Sequence, residues 1–338
     1  MAEGLTAAPG SWDAVAGHAE TKARLQTLLR EGRVPHALLF SGPRGVGKRM
    51  LATAAAAALL CKSPKVGLAC GACESCRALA AGTHPDFYAV LPEKSGKAAR
   101  SIKIEQIRDL RAEAARRPRL SARRAVLLDD AETMNDAAAN ALLKTLEEPP
   151  GDNVFFLVTG ARQALLPTIV SRCTGVRFAP LNGEAMTQVL AAHDVPEGLW
   201  SSLAALSEGS AGRALRLFEE DALSLRENAM ATLERLPRLT PEDVFSLGEQ
   251  LGAMERERLS EWLRYFRLLL RDILALYGGS GALLNADLEA RLFALTGRIS
   301  EPRAFLAARE ATEAARRIET SNAATRLAIE AFLLKVGK

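Results

Sequence analysis

The chain has 338 residues, 48% of them apolar and 25% charged, a balance that excludes a disordered or fibrous protein. That length exceeds one ordinary hydrophobic core, so two or three domains are expected. A net charge of +4 does not by itself demand nucleic acid.

Residues 1 to 11 read as a loose tail without a basic-then-apolar leader. An amphipathic helix is predicted from Ala19 to Arg30. A strand from Ala37 to Phe40 then feeds a Gly-rich turn, Ser41 to Lys48, and an alanine-rich helix, Arg49 to Leu60. The apolar run Leu51 to Cys61 is too short to span a bilayer. The expectation is a cytoplasmic protein with no membrane contact. Four cysteines follow, then a strand near Phe87 to Leu91, a polar loop from Pro92 to Arg100 and a helix from Ile104 to about Arg116. Ala125 to Leu128 reads as a buried parallel strand, Asp136 to Glu147 as a helix stopped by Pro149-Pro150, and Val154 to Thr159 as the next strand. Strands alternating with helices imply a doubly wound parallel sheet to about Pro180. Beyond it the pattern is helical, first over 181–221 and then with apolar spacing at Trp262, Phe266, Leu269, Leu270 and Ile273. That stripe suits either an internal core or an assembly face.

Gly42-Pro43-Arg44-Gly45-Val46-Gly47-Lys48-Arg49 matches the phosphate-binding loop G-x-x-x-x-G-K, but not its final Ser or Thr. Glycines let backbone amides face a phosphate, and the following helix N-terminus adds a favourable dipole. Lys48 would reach the phosphates. The missing hydroxyl normally holds Mg2+, and Arg49 cannot. Asp129 ends an apolar strand, where a nucleotide hydrolase places its magnesium-binding aspartate. Asp130 follows, one methylene shorter than the glutamate that usually activates water. These two departures argue against efficient hydrolysis and leave the binding of ATP or ADP open.

Cys61, Cys70, Cys73 and Cys76 are spaced C-x8-C-x2-C-x2-C. Four thiolates at such spacing in a cytoplasmic chain point to structural, tetrahedral Zn2+ rather than disulfides. With four cysteines present, His84 reads as a packing or turn residue and Cys173 as a plain buried thiol. Arg116, Arg117, Arg119, Arg123 and Arg124 form a basic cluster that suits either DNA phosphates or a solvated surface.

Asn140 to Pro150 (NALLKTLEEPP), the four-cysteine insert, Ser171-Arg172-Cys173, Arg33-Val34-Pro35-His36-Ala37 and Trp12-Asp-x-Val-x-Gly17 together resemble the AAA+ subunits of bacterial DNA polymerase III clamp loaders. The resemblance covers roughly the first 215 residues. Within that family, Asp129-Asp-Ala-Glu-x-Met-Asn135, Ile102-Lys-Ile-x-x-Ile-Arg108 and the decayed loop resemble the delta-prime type more than the gamma/tau type, which keeps an intact G-K-[ST] and an Asp-Glu pair.

The resemblance implies an AAA+ P-loop domain over 1–180, a helical lid over 181–221 and an all-α collar over 222–338. It implies a hetero-pentamer with gamma/tau and delta subunits that loads a sliding clamp onto primer-template DNA. Arg172 would be a trans-acting arginine finger for a neighbour's ATP site. Arg213, in Gly209-Ser-Ala-Gly-Arg213, would touch this chain's own nucleotide, and Thr159 would hold the first-sensor position. Two other readings compete: an active ATPase of gamma/tau type, and a zinc-dependent nucleic-acid binder that uses the fold as a frame.

Overall fold

The computed structural model describes residues 12–93, 100–219, 222–279, 283–320 and 325–337. The tail at 1–11 and most of the polar loop before Arg100 lie outside the described residues. The chain divides into two compact units. One comprises the residues up to Ala192 together with Gly209–Arg213; the other comprises His193–Glu208 and Ala214–Lys338.

The first unit contains helices α1 (Ala19–Arg30), α2 (Lys48–Leu60), α3 (Glu74–Ala80), α4 (Ile104–Ala114), α5 (Asp136–Glu147), α6 (Pro167–Val170) and α7 (Gly183–Ala192). Its strands are β1 (Ala37–Ser41), β2 (Phe87–Val90), β3 (Arg124–Leu128), β4 (Asn153–Thr159) and β5 (Thr174–Arg177). They form one sheet in the order β2-β3-β4-β1-β5, with every neighbouring pair parallel. This is the expected α/β architecture of a P-loop domain, a parallel sheet with the glycine loop leaving β1.

The short strands β1, β3 and β4 are buried along their whole length, as parallel strands covered on both faces must be. Alternation divides their side chains. Leu38, Phe40, Leu127, Phe156 and Val158 face one core with Leu51 and the alanines of α2. Leu39, Val126, Leu128, Phe155 and Leu157 face the other with Ile107 and Leu110 of α4 and Leu142 and Leu146 of α5. The small side chains of α2 allow that helix to lie close to the sheet. In register, Ser41 pairs with Thr159, and Leu128 with Leu157. The loops that leave β1, β3 and β4 therefore emerge at one edge. Strand β5 was not evident from the pattern, because Thr174-Gly-Val-Arg177 carries a single buried apolar side chain, Val176.

The basic cluster divides. Arg124 is not a surface residue: it opens β3, is 2% exposed and faces the buried Asp86 at 3.7 Å. Asp86 also accepts hydrogen bonds from the backbone N–H of Arg119 (2.7 Å), Leu120 (2.7 Å) and Ser121 (2.8 Å). A charge at this depth is tolerated only when paired and hydrogen-bonded.

In the second unit, the helix Arg256–Tyr277 buries Trp262, Phe266, Leu269, Leu270 and Ile273 completely, so this stripe is internal core. Trp262 stacks on Phe266 at 5.2 Å, and its indole N–H donates to Asn228 at 2.8 Å. Among the described residues, no helix is long and apolar enough to cross a membrane.

Burial raises the pKa of the Asp86 carboxyl, but the three amides outweigh it and hold the group below its usual range. Its contribution to stability is therefore fully present above the ordinary aspartate value and is lost below it, as pH falls through the depressed folded-state value. Asp86→Ala strands a buried guanidinium and should cost on the order of 3–5 kcal/mol. Urea unfolding at pH 7 measures this; a loss below about 1 kcal/mol contradicts it.

Candidate functional site

The glycine loop is shaped by close approach. A Cβ on Gly42 would fall 2.3 Å from the Phe178 carbonyl oxygen, and one on Gly45 (φ +74°) 2.4 Å from Ser210 Oγ. Gly47 (φ +94°) caps α2 in the left-handed region that glycine tolerates best. Gly209–Arg213 packs on this loop. Ser210 Oγ donates to the Arg44 carbonyl at 2.7 Å, and the Gly212 N–H donates to the Gly45 carbonyl at 2.8 Å. Arg213 stands at the first turn of the helix Ala211–Glu219, with its N–H bonded to the Ser210 carbonyl at 3.1 Å.

The loop's cations already have partners. Lys48 is buried, and its ammonium donates to the carbonyls of Gly42 (2.8 Å) and Pro43. Burial lowers its pKa against the pull of Glu132, Asp129 and Asp130. Arg49 Nη1 donates to Asp129 Oδ2 at 3.2 Å. Burial raises the Asp129 carboxyl, and the Arg49 guanidinium opposes that shift. Asp130 adopts φ +45°, its N–H donates to Asp129 Oδ1 at 3.0 Å, and Arg44 lies 3.6 Å from its carboxylate.

Glu132 belongs to the same cluster. Its Oε1 accepts from Arg44 Nη2 (3.2 Å) and from the Gly160 N–H (3.0 Å). Burial raises its pKa, but the amides of Glu132 and Gly160, the Thr159 hydroxyl and Arg44 bring it below the usual range. Thr159 is fully buried at the end of β4, with its Oγ1 accepting from the Ala161 N–H at 3.1 Å. The structure places Lys48, Arg49, Asp129, Asp130 and Thr159 near one another, with Arg44, Glu132 and Ser210 beside them. Glu132 was legible only as the fourth residue of Asp-Asp-Ala-Glu. The contact of Ser210 with the loop spans 166 residues and leaves no local signal.

These residues do not fit Mg2+. The Arg49 guanidinium engages Asp129 Oδ2, and like charges at such range repel strongly in a partly buried site. No hydroxyl follows Lys48 to complete the coordination.

The four cysteines form a second site. Cys61, Cys70, Cys73 and Cys76 bring their sulfurs within 4.8 Å of one another. The Cys61–Cys73 pair is 3.8 Å apart and Cys70–Cys76 4.0 Å. A tetrahedral ion with bonds of about 2.3 Å would separate its sulfurs by about 3.8 Å, so the donors fit. Backbone N–H groups of Ser63 and Cys70 point at Cys61 Sγ (3.4 and 3.3 Å), that of Cys73 at Cys70 Sγ (3.3 Å) and that of Cys76 at Cys73 Sγ (3.4 Å). Burial raises the Cys73 pKa, but the amides of Cys76 and Lys62 and the adjacent thiols bring it down to about 6. Burial and the Cys73 sulfur push Cys76 up to about 12. His84 is outside this cluster: it is buried, with Nε2 2.8 Å from Ser75 Oγ and Nδ1 accepting from the Asp86 N–H at 3.0 Å. The half-buried Cys173 thiol is raised by burial to about 11.

Arg172 follows α6. Its Nη1 donates to the Thr168 carbonyl at 2.9 Å, its Nη2 to Glu147 Oε1 at 2.6 Å, and a third of the side chain remains exposed.

A family model described as DNA polymerase III, delta subunit matches residues 17–182. DNA polymerase III subunit delta' of Pseudomonas aeruginosa is 40% identical over 232 residues, 67% of this chain and 69% of that protein. The Escherichia coli subunit delta' is 35% identical over 282 residues, 83% of this chain and 82% of that one. This chain belongs to the DNA polymerase III delta' family. A gamma subunit-related protein of Thermotoga maritima is similar in structure at 21% identity and a TM-score of 0.46, over 94% of this chain and 98% of that one.

In this delta' family chain, Arg49 stands in place of the hydroxyl that usually follows the loop lysine, and it pairs with Asp129. Arg49→Thr restores the hydroxyl and frees Asp129. Nucleotide binding by this variant should become strengthened by Mg2+, which titration calorimetry with and without EDTA reads directly. Equal magnesium dependence in the unaltered chain would contradict this account of Arg49.

Proposed function

We propose that this chain acts as the delta' subunit of a bacterial DNA polymerase III clamp loader, a cytoplasmic scaffold subunit that hydrolyses little or no ATP. The observation that carries the reading is the contrast between two arginines. Arg49 closes the chain's own metal position on Asp129, whereas Arg172 stands partly exposed after α6. Arg172 serves as an arginine finger for the ATP site of an adjoining gamma/tau subunit. Such a finger neutralises charge developing on the transferred phosphoryl group and is worth about a thousandfold or more at the site it serves.

In this reading the chain joins gamma/tau and delta subunits in a hetero-pentamer that places a sliding clamp on primer-template DNA. Residues 1–180 form the AAA+ domain, 181–221 its lid and 222–338 the collar. Gly42, Gly45, Gly47 and Lys48 retain the shape of a nucleotide site, with Thr159 and Arg213 at sensor positions, and can take ATP or ADP without magnesium chemistry. Cys61, Cys70, Cys73 and Cys76 hold a structural Zn2+ that organises the insert between α2 and β2.

Replacing Arg172 with Ala should leave the reconstituted complex intact by size-exclusion chromatography and remove the share of its ATPase contributed by the adjoining site. Unchanged ATPase in an intact complex would sink the finger. The purified chain should contain close to one equivalent of zinc by mass spectrometry, and Cys73→Ser should lose it together with thermal stability. A wild-type protein free of metal would refute the zinc assignment.

A further inference from the structure

An arginine finger works only if its guanidinium is already aimed when the neighbouring site closes. Arginine is poorly suited to this alone, because its long side chain carries much rotational freedom. The setting of Arg172 restrains that freedom. Glu147 Oε1 accepts from Nη2 at 2.6 Å, and the Thr168 carbonyl accepts from Nη1 at 2.9 Å.

Both acceptors are carried by elements packed on the sheet. Glu147 is the last residue of α5, whose preceding Leu146 is buried with Leu142 in the sheet's second core. Pro149 and Pro150 then prevent the helix from continuing. Thr168 lies in α6, whose Ile169 joins the same core. Acceptors from two packed elements thus bond one guanidinium at Nη1 and Nη2.

We propose that Glu147 is the positioning residue of the finger, an inference that rests on Arg172 acting in trans. A guanidinium has five N–H donors. Two are engaged here, by Glu147 and by the Thr168 carbonyl, which leaves three for the phosphate of an adjoining nucleotide. Glu147 keeps its bond while the finger works. Its negative charge also opposes an approaching phosphate, so its benefit lies in orientation and not in charge. Glutamine retains the accepting oxygen and removes that charge, which separates the two effects.

The test uses the complete reconstituted complex, with clamp and primer-template DNA, and steady-state ATPase resolved into kcat and KM. Glu147→Ala should lose most of the turnover that Arg172→Ala loses, in kcat and not in the KM for ATP. Glu147→Gln should retain wild-type turnover or exceed it. The double variant should be no worse than Arg172→Ala, because residues acting as a unit are not additive. Glu147 is half exposed, so assembly should survive each change. Lowered turnover in Arg172→Ala with unchanged or raised turnover in Glu147→Ala overturns the role of Glu147 alone. No effect of Arg172→Ala overturns the finger itself.

Discussion

The ion pair between Arg49 and Asp129 sets the character of the whole site. A phosphate loop performs chemistry by holding a divalent cation between a hydroxyl after its lysine and an aspartate at the end of a neighbouring strand. Here the hydroxyl is replaced by a fixed positive charge, and that charge is neutralised by the same aspartate. The site keeps the shape that glycine and helix dipole provide, while Asp129 is engaged by a side chain of the same chain. Arg44, paired with Glu132 and Asp130, extends the same self-neutralisation, and Lys48 satisfies its donors on the loop carbonyls.

A site that satisfies its own charges can still serve as a frame. The loop anchors Gly209–Arg213 through Ser210 and Gly212, joining residues far apart in sequence around Gly45. The same economy appears around the cysteine insert. Ser75 of α3 donates to the Leu60 carbonyl at 2.7 Å and meets His84, and Ser121 reaches that same carbonyl at 2.7 Å. Asp86 holds the backbone on either side of Leu120. The four-cysteine insert is therefore wired to the sheet and to the arginine-bearing loop before β3 by buried and partly buried hydrogen bonds, which are costly to leave unmade.

Much of this was legible in the amino-acid sequence wherever the signal was local. The glycine loop, the cysteine spacing and the apolar strands ending in Asp129 and Thr159 are each marked within a few residues; in the structure Lys48, Arg49 and Asp129 lie together and the four cysteines form a cluster of their own. What escaped was long-range. Arg124 resembled its basic neighbours, yet its position at the start of a central strand buries it against Asp86. Strand β5 has too little apolar content to show alternation and exists because β1 offers it a partner edge. Glu132 stood in the sequence only as part of the Asp-Asp-Ala-Glu motif, and its bonds to Gly160 and Arg44 come from the fold. The pairing of Glu147 with Arg172 crosses 25 residues and depends on how α5 and α6 meet in the fold.

The claim that this chain has given up metal-assisted hydrolysis while retaining the loop's architecture is tested most directly by ATP turnover of the purified chain alone, measured with and without magnesium. No turnover above background is expected in either condition, whether or not nucleotide binds. Rapid magnesium-dependent turnover would contradict it, because it would mean that Arg49 leaves Asp129 to make room for the ion and that Asp130 can activate water.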